Sequence, residues 1–136
     1  MGATFTVDTK GHTDLVNITD QVALAVGRSG TKEGAAVVFV RGSTAALTTM
    51  EYEEGLIADI REALEKLAPE DADYKHHQRW GDRNGAAHIK SALIGADLTI
   101  PIEHGKLALG TWQQIVLIDF DERPRRREVV VKILES

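Results

Sequence analysis

From position 98 to position 134, four short apolar segments follow one another with little but turns between them. Residues 98–102, 106–109, 113–120 and 128–134 are each of strand length and rich in Leu, Ile and Val. The breaks are Glu103-His104-Gly105, Gly110 and residues 121–124. Connections that short cannot carry a crossover helix, so successive segments fold back on one another as antiparallel neighbours.

Upstream, strand-like and helix-like segments are mixed. Residues 4–9 alternate with a period of two, Phe5 and Val7 sharing a face, and residues 12–18 suit a second strand. Thr19 and Asp20 offer capping oxygens to a short helix through Val22, Ala23 and Val26, which Gly27 and Gly30 stop. Residues 35–40 are continuously apolar and β-branched, the pattern of a buried strand, and residues 44–50 are extended. Residues 53–67 form the clearest helix: Leu56, Ile57, Ile60, Leu64 and Leu67 recur at steps of three and four, and Pro69 follows. Asn84 is placed to cap a further short helix with Ala87, Ile89, Ala92 and Leu93, ended by Gly95. Between them, residues 68–83 are polar and aperiodic, and loops of that length in a compact domain are usually functional. The expectation is an α+β fold, a single compact domain over residues 1–136, with mostly antiparallel β-sheet layers and two or three helices.

Composition narrows the function classes. Sixteen basic against 21 acidic residues give a net charge of −5, which argues against nucleic-acid binding, although Arg123, Arg125, Arg126 and Arg127 cluster locally. The absence of cysteine excludes disulfides, thiolate metal sites and cysteine nucleophiles. No apolar run approaches the roughly 20 residues a bilayer-spanning helix needs, and residues 1–8 lack a signal-peptide core, so a cytoplasmic protein with no membrane partner is expected.

Four groups of residues carry chemistry. Gly42-Ser43-Thr44-Ala45-Ala46, followed by Glu51, places small hydroxyls at a strand end. They either donate to phosphate oxygens or satisfy turn backbone, while Glu51 also suits the start of the next helix. Tyr74, His76, His77, Trp80, Asp82, Asn84, His88 and Lys90 gather three of the five histidines in one stretch. Two imidazoles and a carboxylate suit a divalent cation, and a single histidine suits general acid–base work. The spacing matches no compact metal signature, and exposed loop histidines are the bland alternative. Trp112, Gln113 and Gln114 interrupt an apolar pattern and suit a pocket, a subunit interface or a core indole. Arg125 and Arg127 share a strand face, fit for phosphate or carboxylate recognition or for blocking edge pairing.

Taken together these runs resemble the YjbQ-like family. The resemblance is carried by Ser43-Thr44-Ala45-Ala46 with Glu51, Tyr74-x-His76, Asn84-Gly85 with His88, and Gly110-Thr111-Trp112-Gln113 followed by Arg125 and Arg127. Pro101, Gly95 and the region from Asp119 to Asp121 fit it as well. It implies an α+β domain assembled as a homotrimer and a secondary thiamine-phosphate synthase activity. That reaction joins a pyrimidine pyrophosphate to a thiazole phosphate and releases pyrophosphate.

Carried over by position, His76, His88 and Glu51 become the catalytic residues. Ser43, Thr44, Asn84, Lys90, Arg125 and Arg127 become the ligands of a small phosphorylated metabolite. His76 and His88 become the ligands of a divalent ion, Mg²⁺ or Zn²⁺. The alternative is a non-catalytic trimer that binds a metal or phosphorylated metabolite. Two departures bear on this choice. Gly42 stands where the commoner bacterial pattern has a histidine, which leaves a three-histidine centre one ligand short, and His77 replaces an aspartate or asparagine.

Overall fold

Of the three hairpins anticipated between residues 98 and 134 only the first, over residues 97–107, forms; the next two short connections carry the chain from one sheet to the other and back, because the strands sort into two sheets. The computed structural model describes the backbone of residues 1–136 and the side chains of all but Gln78, Arg79 and Trp80. Trp80, grouped above with the histidines, therefore has its side chain outside the described residues. The strands are β1 (Gly2–Thr9), β2 (Asp14–Asn17), β3 (Gly34–Val40), β4 (Ala45–Glu51), β5 (Asp97–Glu103), β6 (Lys106–Leu107), β7 (Gln113–Asp119) and β8 (Arg125–Glu135). The helices are α1 (Thr19–Ser29), α2 (Glu54–Leu67), α3 (Lys75–Trp80) and α4 (Gly85–Ile94).

One sheet has the order β1-β8-β3-β5-β6 and the other β2-β7-β4, with every pairing antiparallel. The inner faces meet through Val38, Val40, Leu47, Leu117, Val129 and Val131, and α1 closes this core with Val22, Ala25 and Val26. A second core lies on the other side of the small sheet, where Ala46, Val116 and Ile118 meet Ile57, Ile60 and Leu64 of α2. β7 serves both: Ile115 and Leu117 face the first core, Val116 and Ile118 the second. A strand buried on both faces needs an unbroken apolar run, and Ile115-Val116-Leu117-Ile118 supplies it.

The similar run in β3 behaves differently. Ala36, Val38 and Val40 are buried, but Phe39 is 43% exposed on the outer face, so the strand is buried on one side only. No helix anticipated for residues 68–83 was found in the periodicity, yet α3 forms there. Six residues are too few to register a 3.6-residue repeat.

α2 starts where the pattern places it. The Glu53 carboxylate accepts hydrogen bonds from the Gly55 and Leu56 amides at 2.6 and 2.9 Å, and these bonds hold its pKa below the ordinary range. α4 lies against β4, where Ala45, Ala46 and Ala87 leave room for close approach. There the buried Ser91 hydroxyl donates to the Ala45 carbonyl at 2.6 Å. Ser91→Ala should lower stability by about 1 kcal/mol, the usual worth of such a bond, read as a shifted denaturant midpoint with an unchanged m-value.

Candidate functional site

The site grows from the ends of β4, β7 and β8 and from the start of α4. Asp119 ends β7 and is fully buried. Its carboxylate accepts from Thr9 Oγ1 at 2.6 Å, from Arg127 Nε and Nη2 at 2.7 and 2.9 Å, and from the Asp121 amide at 3.0 Å. Asp121, 1% exposed, accepts from Arg125 Nε at 2.8 Å, from Thr44 Oγ1 at 2.9 Å and from the Glu122 amide at 2.7 Å. Burial pushes the Asp121 pKa up, but those donors and the Arg125 charge outweigh it, and the net direction is down. Thr44 Oγ1 in turn accepts from Arg127 Nη2 at 2.6 Å. The carboxylates are thus sealed inside, and the guanidinium groups sit on the outer side of the network.

α4 attaches to this network through Asn84, whose Nδ2 reaches Asp121 Oδ1 at 3.4 Å. Asn84 does occupy the N-cap position, but its side chain makes no capping bond. His77 takes that role instead, its Nε2 accepting from the Gly85 amide at 2.9 Å. As an acceptor Nε2 carries no proton, which commits His77 to holding the helix start.

The other two histidines meet face to face. The His76 and His88 ring centroids are 4.5 Å apart at 37°, and His76 Nδ1 lies 3.5 Å from Asp82 Oδ1. Burial, and then the proximity of His76, lowers the His88 pKa, while Asp121 and Asp82 act more weakly in the other direction. Buried side-chain polar atoms without a hydrogen-bond partner, among the described residues, are His76 Nδ1, His77 Nδ1 and Asn84 Oδ1. Such atoms are rare in a native interior, and here they gather in one place.

The residues expected to act with the histidines divide. Ser43 is exposed beside Thr44, and Arg125 and Arg127 flank the same network. Lys90 is buried, with Nζ 3.8 Å from Glu65 Oε1 on α2, a partner outside the carboxylate network. Glu51 ends β4 at its far end; at about 3.3 Å per residue that is about 20 Å from Ala45. It sits in a cleft with Asn17, Tyr52, Trp112 and Gln114. Within one chain Glu51 does not join the histidines. Trp112 is 73% exposed, which removes the core-indole reading.

A divalent ion needs several converging ligands. No group of three His, Asp or Glu side chains among the described residues is arranged to hold one. His76, His88 and Asp82 therefore do not form a complete metal cage within one chain. Asp119 and Asp121 are the site residues that the pattern reading missed as functional. Their signal in the sequence is a pair of carboxylates spaced like the arginine pair that follows, in a region that also fits the family resemblance.

The arrangement can be compared with known proteins. The family model described as UPF0047 protein YjbQ-like matches residues 3–136. The chain belongs to this family. A UPF0047 protein from Archaeoglobus fulgidus is 43% identical over 129 residues, covering 95% of this chain and 98% of the relative. A crystal structure of a YbjQ-like protein of unknown function from Sulfolobus solfataricus superimposes with a TM-score of 0.94 at 36% identity, covering 100% of this chain and 97% of the other. A family structure from Clostridium acetobutylicum superimposes with a TM-score of 0.89 at 41% identity, covering 97% and 99%. The family assignment and the α+β fold anticipated from the motifs both hold. No helix of the described residues is long and apolar enough to cross a membrane.

Proposed function

We propose that this UPF0047 member is a cytoplasmic transferase that handles phosphorylated small molecules at the His76–His88 pair. The reaction class is the thiamine-phosphate synthase type that the resemblance suggests. A ring nitrogen of the thiazole phosphate attacks the methylene carbon of the pyrimidine pyrophosphate, the carbon–oxygen bond breaks, and pyrophosphate departs with the bonding electrons. The observation that carries this reading is the gathering of unpartnered polar atoms, His76 Nδ1 and Asn84 Oδ1, beside a histidine pair.

Pyrophosphate departure concentrates negative charge on the leaving oxygen, which a proton and fixed donors stabilise. His76 and His88 fit the proton donor. Thr44, Asn84 and Lys90 already face Asp121, Asp121 and Glu65, and Arg125 and Arg127 give Nε and Nη2 to Asp121 and Asp119. What is left for phosphate is the Ser43 hydroxyl and the remaining N–H groups of the two guanidiniums. The deciding experiment is pyrophosphate release from the two thiamine precursors by purified protein. Turnover supports the transferase, and calorimetric binding of either precursor without turnover rejects it. The second outcome favours the binding-protein reading, and the same calorimetry with Mg²⁺ or Zn²⁺ tests ion capture.

We propose further that the chain works as a homotrimer. Phe39 at 43% and Leu134 at 57% exposure lie on the outer face of the five-stranded sheet, with Val130 beside Phe39 across the β3–β8 ladder. Exposed apolar side chains grouped on one face suit a partner surface. Glu51, distant from the histidines of its own chain, then becomes available to a neighbour. Light scattering should return three times the mass of one chain; a monomer at micromolar concentration rejects the assembly.

A further inference from the structure

Arg127 is 8% exposed, and its guanidinium is clamped on two of three nitrogens: Nε and Nη2 on Asp119, Nη2 also on Thr44. The third, Nη1, has no hydrogen-bond acceptor among the described residues and is not among the buried polar atoms lacking a partner. It lies against the backbone of Gly42, an exposed residue with φ of +123°. A Cβ built on Gly42 would stand 2.7 Å from Nη1, inside contact distance. Two residues away on the same strand face, Arg125 gives Nε and Nη2 to Asp121 and keeps a side chain 34% exposed. Asp119 and Asp121 are buried behind both arginines, so the part of each ion pair nearer to solvent is its guanidinium.

We infer that Gly42 is a specificity-determining residue. By carrying no side chain it leaves a notch in which a tetrahedral oxyanion, a phosphoryl group, is bound directly on Arg127 Nη1, with Arg125 and the Ser43 hydroxyl beside it. A guanidinium already fixed by its carboxylate loses little conformational freedom on binding, and its charge-assisted hydrogen bonds are the strong kind. The inference deepens the phosphate-handling reading, since it names which group of the substrate docks and where.

Inorganic phosphate and pyrophosphate serve as probes, titrated into the full-length protein with and without Mg²⁺. Side-chain ¹⁵N signals of Arg127 should shift on saturation, and calorimetry should give an affinity that does not require Mg²⁺. Gly42→Ala should weaken binding by about tenfold or more at a temperature where both proteins are folded. Equal affinity in Gly42→Ala, or affinity only with Mg²⁺, overturns the inference. Should the strain at φ +123° unfold that variant, the parent protein alone decides: Arg127 signals unmoved by saturating phosphate overturn it. Pyrophosphate release from the two thiamine precursors is assayed separately on the parent protein, whatever the response of Arg127 to phosphate. A failed notch and a failed transferase are therefore separable results.

Discussion

Arg127→Met should destabilise the protein by about 3–5 kcal/mol, the range for breaking a buried ion pair by removing one partner. Asp119 is fully buried and would keep only the Thr9 hydroxyl and the Asp121 amide as donors. Its charge would be left without a counter-ion, and Thr44 would lose one hydrogen bond. The loss is expected as a large drop in denaturant midpoint. A cost below about 1 kcal/mol, the range of exposed pairs, would show that water reaches Asp119. Because the pair joins β7 to β8, one substitution should loosen the seam between the two sheets.

His88→Ala and His76→Ala should each lower the rate of pyrophosphate release by about 10²- to 10⁴-fold, the usual worth of a positioned proton donor or acceptor. Parent-like rates in both variants would remove the histidines from the reaction. The pH profile adds a second reading. Burial, then His76, depresses the His88 pKa, so a step that draws a proton from His88 gains rate only as pH falls below 6.5, where the imidazolium forms. The same shift governs stability. The unfolded chain takes up a proton on His88 more readily than the folded one, so its contribution is complete above pH 6.5 and declines below it. His88→Ala should flatten that decline. An unchanged slope would mean that His88 is solvated in the folded protein.

The fold was legible where one period runs long enough to dominate. Residues 54–67 repeat apolar side chains over four turns, and β7 shows its double burial as an unbroken apolar run. Shorter or mixed signals were not legible. α3 is too brief to show a repeat, and the apolar outer face of β3 looks, in one dimension, like a buried one.

At the site the histidine pair could be read from its crowding along the chain, but its partners could not. Thr9 and Asp119 are 110 residues apart, and Asp121 reads as an ordinary turn former until Arg125 and Thr44 are seen to close on it. Glu51 stands next to its motif in the sequence, but an extended strand converts six residues into the length of a small sheet. Asn84 was expected as a cap and His77 was not. The difference lies in which side chain Asp121 draws away.

The double burial of β7 has a consequence for how this molecule opens. A strand shared by two cores ties them into one cooperative unit, because neither can be exposed to solvent without exposing a face of it. Asp119, at its end, anchors the carboxylate network to that same unit. The amides of Ile115 to Ile118 should therefore exchange with solvent only through global unfolding. The phosphate-handling residues inherit their rigidity from the slowest-breathing segment of the chain.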